Sequence, residues 1–366
     1  MRSLRKIAFV LQEFALQTPA QQLLDRFLIG YPRDGVFHRV EDCQIAVYLP
    51  VRWQNVALDR RQKDFGLVRE GNIEQVLANA DAVVVVWKGA GVLANESLLR
   101  DVLEKMPGGS ACFVQGVLSK SLDGANELID VASVRNVSLA AGTPTAVTWR
   151  LPEVDLAPGT HLQDALIVVQ GAPPIAEMHG LQGLLPVIER RRGGESGVRR
   201  IRLFKGKELW QAGEEGFWSK ALLAAAISRS NTPQGDPVKD GRTQDLVGLG
   251  LVPTLARDPR GWIIDHQDGL RSAILVLDGV VADFNFAVRA RDGTVVSAQL
   301  YRPPAPAEQH FSRLTAVIED FFRSGTPQWP AGRNLLMAGL LEAASKVAKR
   351  PGQFVETPQL DVAYSR

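Results

Sequence analysis

Two runs, Lys6–Leu11 (KIAFVL) and Asp81–Trp87 (DAVVVVW), are almost continuously apolar, without the in–out alternation of a half-exposed strand. Short unbroken runs of this kind suit parallel strands covered on both faces. Up to residue 148 such runs alternate with amphipathic segments. The pattern predicts strands at Lys6–Leu11, Gln44–Val51, Asp81–Trp87, Ala111–Leu118 and Val137–Ala141. It predicts helices at Pro19–Leu28, Ile73–Ala78, Glu96–Lys105 and Gly124–Ala132. In the third helix Leu98, Leu99, Val102, Leu103 and Met106 share one side, Asn95 can cap the start, and Pro107-Gly108-Gly109 ends it. Alternation of this type predicts a doubly wound α/β domain.

The pattern changes at Trp149–Pro158, where WRLPEVDLAPG carries two prolines and a glycine. This sets a boundary between domains 1–148 and 149–366. Beyond it, strands are predicted at Leu162–Gly171, Val198–Phe204, Ala273–Val276, Asp283–Ala290 and Thr294–Arg302, with a helix at Gly180–Arg190. Two β-rich runs flank Asp292-Gly293, a strong hairpin signal. Residues 230–247 are polar and turn-rich and read as a long surface loop. Phe311–Phe322 and Asn334–Lys346 read as late helices. The second domain is therefore expected to be α+β with an open, mostly antiparallel sheet. The last helix and strand can pack back on the first domain.

A net charge of +2, with 22% charged residues, gives no bulk field for nucleic acid or a membrane surface. Cys43 and Cys112 lie in or beside apolar runs and read as small buried hydrophobes. The basic start MRSLRKIAFVL stops at Gln12-Glu13, too short for a secretory core. No stretch reaches the roughly 20 apolar residues of a membrane span. A cytoplasmic protein is expected.

The turn after the first strand, Gln12–Gln22 (QEFALQTPAQQ), contains no glycine. In a dinucleotide-binding unit, glycines at this turn let the backbone approach a pyrophosphate at the helix N-terminus. Here Glu13, Phe14 and Ala15 fill the place, and Pro19 sits in the first helical turn.

The closing stretch Asp320–Pro358 (DFFRSGTPQWPAGRNLLMAGLLEAASKVAKRPGQFVETP) resembles the ending of the Gfo/Idh/MocA oxidoreductases. VTWRLP (147–152) and VIERRRGGESGV (187–198) resemble phrases of a bacterial branch of that family. The resemblance implies a Rossmann domain joined to an α/β domain, NAD or NADP, and a sugar- or polyol-like substrate. It also exposes three departures. The glycine fingerprint is missing. The ribose-binding acid expected near Leu49–Arg52 is replaced by LPVR, where Arg52 can meet a 2′-phosphate or simply be solvated. The family's Glu-Lys-Pro lysine aligns with Gly116, after Gln115. Lys88 and Lys120 lie nearby in sequence but off the motif position. The cofactor-binding candidates are Gln12, Phe14, Arg52 and Gln115.

The resemblance implies a cleft histidine at His179, where imidazole can act as acid/base near neutral pH. An acid common one turn later is replaced by Gln182. Lys88 is a second catalytic candidate, and Gln182, Trp149 and Arg150 are substrate-binding candidates, with Thr143-Pro144-Thr145 as a polar wall. Glu189–Arg202 holds six arginines, which suit a phosphate or acidic partner, or a helix end followed by an edge strand with outward arginines. His38, His161, His266 and His310 show no metal spacing, and no P-loop or nucleophile elbow occurs. Two readings stand: a divergent nicotinamide-dependent oxidoreductase, or a catalytically degenerate relative acting as a binding or oligomer-forming subunit. A homodimer through the exposed face of the second sheet, with FNFAV and VVSAQLY, belongs with the latter.

Overall fold

Burial of every residue after Lys6 makes Lys6–Leu11 (β1) the centre of a parallel sheet. The computed structural model describes residues 5–50, 55–91, 94–232 and 245–365. It divides into two units: Met1–Thr148 with Arg302–Ala338, and Trp149–Tyr301 with Gly339–Arg366.

In the first unit β1 is followed by α1 (Pro19–Leu28), a hairpin of β2 (Tyr31–Arg33) and β3 (Val36–His38), then β4 (Gln44–Tyr48), α2 (Val56–Phe65), β5 (Val68–Arg69) and α3 (Ile73–Leu77). After these come β6 (Ala82–Val86), α4 (Glu96–Lys105), β7 (Ala111–Gln115), α5 (Leu122–Val134) and β8 (Ser138–Gly142). The six-stranded sheet has the order β5-β4-β1-β6-β7-β8, all parallel. This is a Rossmann-like sheet, with its loops at the carboxyl edge where ligands of such sheets bind. The helix signals hold locally. Thr18, Asn55, Asn72, Asn95 and Ser121 cap α1 to α5, each accepting a first-turn N–H. The hydrophobic pattern missed α2, because only Leu58 of its ten residues is buried. It also missed the β2–β3 hairpin, whose Asp34-Gly35 turn has both residues at positive φ.

The second unit contains β9 (Trp149–Leu151), β10 (Leu162–Val169), α6 (Ile175–Ile188), β11 (Glu195–Ser196), β12 (Val198–Lys205), α7 (Lys207–Glu214) and α8 (Lys220–Ile227). It continues with α9 (Val252–Leu255), β13 (Arg257–His266), β14 (Arg271–Asp278), β15 (Phe284–Ala290) and β16 (Val295–Tyr301). Most of the expected loop, residues 233–244, lies outside the described residues. The chain then forms α10 (His310–Ser324), α11 (Ala331–Val347), β17 (Phe354–Glu356) and β18 (Ala363–Tyr364). The eight-stranded sheet runs β17-β12-β13-β14-β10-β15-β16-β9, and only β10 and β14 pair in parallel. Among the described residues no helix is long and apolar enough to cross a membrane.

Two expectations are corrected here. The sheet face carrying FNFAV and VVSAQLY is not exposed. Phe284, Phe286 and Leu300 are buried on the α6 side, where Gly180 lies against Ile274 and the His179 ring against Phe284. On the other face, α7 to α9 pack Leu209, Leu222, Leu223 and Val252 onto Leu166, Val168, Ile263 and Ala287. Nor do the arginines of Glu189–Arg202 line an edge strand: β12 lies between β17 and β13. Arg191 is buried in ion pairs with Glu195 and Asp268.

The segment 302–338 belongs with the first unit rather than with the rest of the 149–366 domain. Phe311, Leu314, Ile318, Phe321 and Phe322 of α10 bury into the core under β1, β6 and β7. The late strands β17 and β18 pair with β12 and β11 of the second unit instead.

Candidate functional site

The carboxyl edge of the parallel sheet places Gln12 at the end of β1, Lys88 after β6 and Gln115 at the end of β7. Gln12 Oε1 accepts the Lys88 backbone N–H at 2.9 Å, so this candidate's side chain already ties two strand ends together. The Lys88 side chain is exposed.

The glycine-free turn is closed by its own hydrogen bonds. Gln17 takes the left-handed conformation that glycine would favour, at φ +63°. Its N–H donates to Gln21 Oε1 at 3.0 Å, and the Thr18 N–H to the Ala15 carbonyl at 3.4 Å. The Gln21 N–H donates to Thr18 Oγ1 at 3.4 Å and the Gln22 N–H to the Thr18 carbonyl at 3.0 Å. Pro19 has no N–H. Of the first four helical residues, only Ala20 keeps an N–H without an internal acceptor. Phe14 does not stand in the turn's opening: it is 7% exposed, packed in the core beneath the Arg61 guanidinium at 5.0 Å. As a cofactor-binding candidate it is therefore corrected to a core residue. Asp25 holds Arg61 in place, with Nε to Oδ1 at 2.5 Å. Arg52 lies outside the described residues.

Past β6 and β7 the backbone folds against itself. Gly91 and Gly116 both have positive φ, and a Cβ at Gly116 would lie 2.5 Å from the Gly91 Cα. Val117 N–H donates to the Gly91 carbonyl at 3.1 Å, and Trp87 Nε1 to the Val117 carbonyl at 2.8 Å. The position where the family resemblance expects a lysine thus has room for no side chain. Gln115 beside it is 2% exposed, and its Oε1 is buried without a donor. Thr143, just past β8 and fully buried, leaves its Oγ1 in the same state. Buried polar atoms left unpaired cost about 1–3 kcal/mol each, so this edge retains capacity for an external polar group. Lys120 is exposed, its N–H donating to Glu96 Oε1 at 3.1 Å.

No family model and no curated protein matches the chain. Solved structures do. GenD2 from gentamicin A biosynthesis, in complex with NAD, matches with a TM-score of 0.58 at 15% identity, covering 98% of this chain and 97% of that one. Lactobacillus casei myo-inositol dehydrogenase, in complex with NAD(H) and myo-inositol, matches at 0.58 and 13% identity over 99% and 98%. A probable dehydrogenase from Thermotoga maritima matches at 0.57 and 12% identity over 97% and 99%. The chain is similar in fold to these Gfo/Idh/MocA-type dehydrogenases over its full length.

That fold implies a nicotinamide dinucleotide, and the residues of the first unit do not fit one at its pyrophosphate. The turn has no glycine, four of its amides (Gln17, Thr18, Gln21 and Gln22) are engaged internally, Pro19 supplies none, and the helix N-terminus is already capped by Thr18.

The remaining candidates lie in the second unit. His179 is half-buried on α6, where residues 176–188 are otherwise buried, and its ring lies 5.4 Å from that of Phe284. It sits in the second turn of α6, because the helix starts at Ile175 rather than at Gly180. Gln182 is 4% exposed, more core than cleft wall. Trp149 and Arg150 form β9 at the sheet edge. The Trp149 ring packs on Tyr301 at 6.5 Å. Arg150 shares Asp155 with Arg190 and lies over Phe286 at 5.6 Å, so its guanidinium is already engaged. Among the described residues no group of three His, Cys, Asp or Glu side chains is placed to hold a metal. Sequence reasoning missed the Gly91–Gly116 contact; its only signal was the Gly89-Ala90-Gly91 run after an apolar strand.

Proposed function

We propose that this chain is a cytoplasmic protein that keeps the dehydrogenase fold as a binding subunit for a sugar- or polyol-like ligand and has given up nicotinamide chemistry. The observation that carries the reading is the glycine-free turn between β1 and α1, where the Gln17, Thr18, Gln21 and Gln22 amides are spent on Ala15, Thr18 and Gln21. Opening it for a pyrophosphate breaks several internal bonds, each worth about 0.5–1.5 kcal/mol net. The glycine at position 116 removes the lysine that the family resemblance assigns to the reacting centre. Fold alone is no warrant for activity. Titration with NADH and NADPH, followed by nucleotide fluorescence and calorimetry, tests it. No binding at millimolar concentration is expected; micromolar binding of either overturns the reading.

A second reading, a divergent NAD- or NADP-dependent oxidoreductase on the same substrate class, draws on the Gln115 amide. Its buried, unpaired Oε1 suits a polar ligand group at the sheet edge. His179 is then the acid/base that exchanges the substrate hydroxyl proton, with Lys88 as a second candidate. If cofactor binds, His179→Ala should abolish turnover and leave that binding intact; unchanged turnover removes His179 from the chemistry.

A further inference from the structure

A second polar site is built into the other end of the eight-stranded sheet. Opposite Asp265, the register of β12 slips between Val198 and Arg200. Such a bulge re-aims side chains. Arg200 and Arg199 both reach Asp265 Oδ2, at 2.7 and 3.5 Å, and Arg271 Nε reaches its Oδ1 at 2.7 Å. One carboxylate thus anchors guanidiniums from either side of β13.

Arg202, two residues along β12, has no carboxylate partner among the described residues. Its guanidinium carbon lies 4.2 Å from the ring centre of Phe204, 4.9 Å from Phe217 and 5.2 Å from Phe354, and its Nε has no acceptor. Phe354 also lies 3.9 Å from the Arg200 guanidinium, and Phe217 5.4 Å from that of Arg271. The same two rings therefore stack on three arginines, all of them half-buried. Glu356 pairs with Arg200 across β17 but is exposed and makes no ion pair among the described residues.

Arg199, Arg200, Arg202 and Arg271 against Asp265 and the facing Glu356 leave an excess of two positive charges. The planes of Arg200 and Arg271 are fixed by stacking and by their Nε bonds to Asp265, and that of Arg202 by stacking alone, which leaves N–H ends preorganised for an anion. We propose that this cluster binds a phosphoryl group of a small phosphorylated molecule. A phosphate monoester carries about −1.5 to −2 at neutral pH, matching the excess, where a carboxylate carries half of it.

Calorimetry of the whole chain with inorganic phosphate, glycerol 3-phosphate, acetate and a short oligothymidylate tests the site. Phosphate and glycerol phosphate should bind and acetate should not. Tighter binding of the glycerol ester would mark the source as a metabolite, and equal binding would mark free phosphate. Arg202→Ala should weaken binding at least tenfold, and Arg202→Lys, which keeps charge without the fork, should fall between. If circular dichroism shows that Arg202→Ala is unfolded, Arg271→Gln must show the same loss. Absence of binding at millimolar concentration overturns the proposal. So does equal binding of acetate, a preference for oligothymidylate, or indifference to both arginine changes.

Discussion

Gly116 lies against Gly91 so closely that a Cβ on either would come within 2.6 Å of the other's Cα. Gly116 is therefore not merely a missing lysine; its lack of a side chain is a packing requirement. Gly116→Ala should cost about 3 kcal/mol or more, through a backbone clash and a left-handed φ. Gly116→Lys should lose at least as much and gain no dehydrogenase activity. Urea denaturation of both variants measures this, and wild-type stability in either would show that the two loops part easily.

The turn after β1 makes two opposite predictions. Gln17→Gly relieves a left-handed φ without touching the backbone bond to Gln21, and should change stability by no more than about 1 kcal/mol, in the stabilising direction. Phe14→Ala empties a core position under Arg61 and should cost about 3–5 kcal/mol. If Phe14→Ala is instead neutral in chemical denaturation, Phe14 is available to a ligand after all.

His310 is buried near Arg26 and Arg302, and its Nδ1 has no partner. Burial first, then the two guanidiniums, push its pKa down to about 3. The fold thus holds it neutral while the unfolded chain protonates it below 6.5. Stability from this site is complete above that pH and falls by about 1.4 kcal/mol per unit on acidification toward 3. His310→Phe should flatten the slope between pH 6.5 and 5. Parallel profiles for variant and wild type would exclude the effect.

Glu195 forms the centre of a buried network. It accepts from Arg191 at 3.1 Å and faces His266 Nδ1 at 2.9 Å, while His266 Nε2 meets Ser272 Oγ at 2.9 Å. Ser272 is 1% exposed, so the resemblance to a hydrolytic triad carries no substrate access. Burial alone would raise the Glu195 pKa; His266 and Arg191 outweigh it and bring it to about 2. Its contribution is full above the ordinary 4.5 and is lost as pH falls through about 2. Glu195→Gln should cost about 3–5 kcal/mol at neutral pH by leaving Arg191 under-compensated. A thermal midpoint within experimental error of wild type would contradict this.

Much of the fold was readable where one physical signal dominated. The unbroken apolar runs of β1 and β6, the Asn95 cap and the Asp292-Gly293 turn each have a single interpretation, and the structure has β1, β6, α4 and the β15–β16 hairpin there. Elements held by charge and context were not readable. The helix α2 is mostly solvated, and β13 hides Trp262-Ile263-Ile264 behind the turn-like Arg257-Asp258-Pro259-Arg260. At the site, the missing glycines and lysine were visible in the sequence. That four of the turn's amides had found internal acceptors, and that Phe14 had turned inward, depends on three-dimensional pairing. The arginines near β12 were visible as a run, but only the bulge opposite Asp265 separates Arg200 and Arg202 from the buried Arg191.

The closed β1–α1 turn also constrains mutational history. A glycine in place of Gln21 would free only the Gln17 amide while Pro19, the Thr18 cap and the Gln12–Lys88 bridge stayed in place, so no single substitution builds a pyrophosphate cradle. Each partial reversal would disturb a satisfied loop and return nothing selectable. On the binding-subunit reading the turn therefore acts as a ratchet: several of its positions must change together before a pyrophosphate cradle can form.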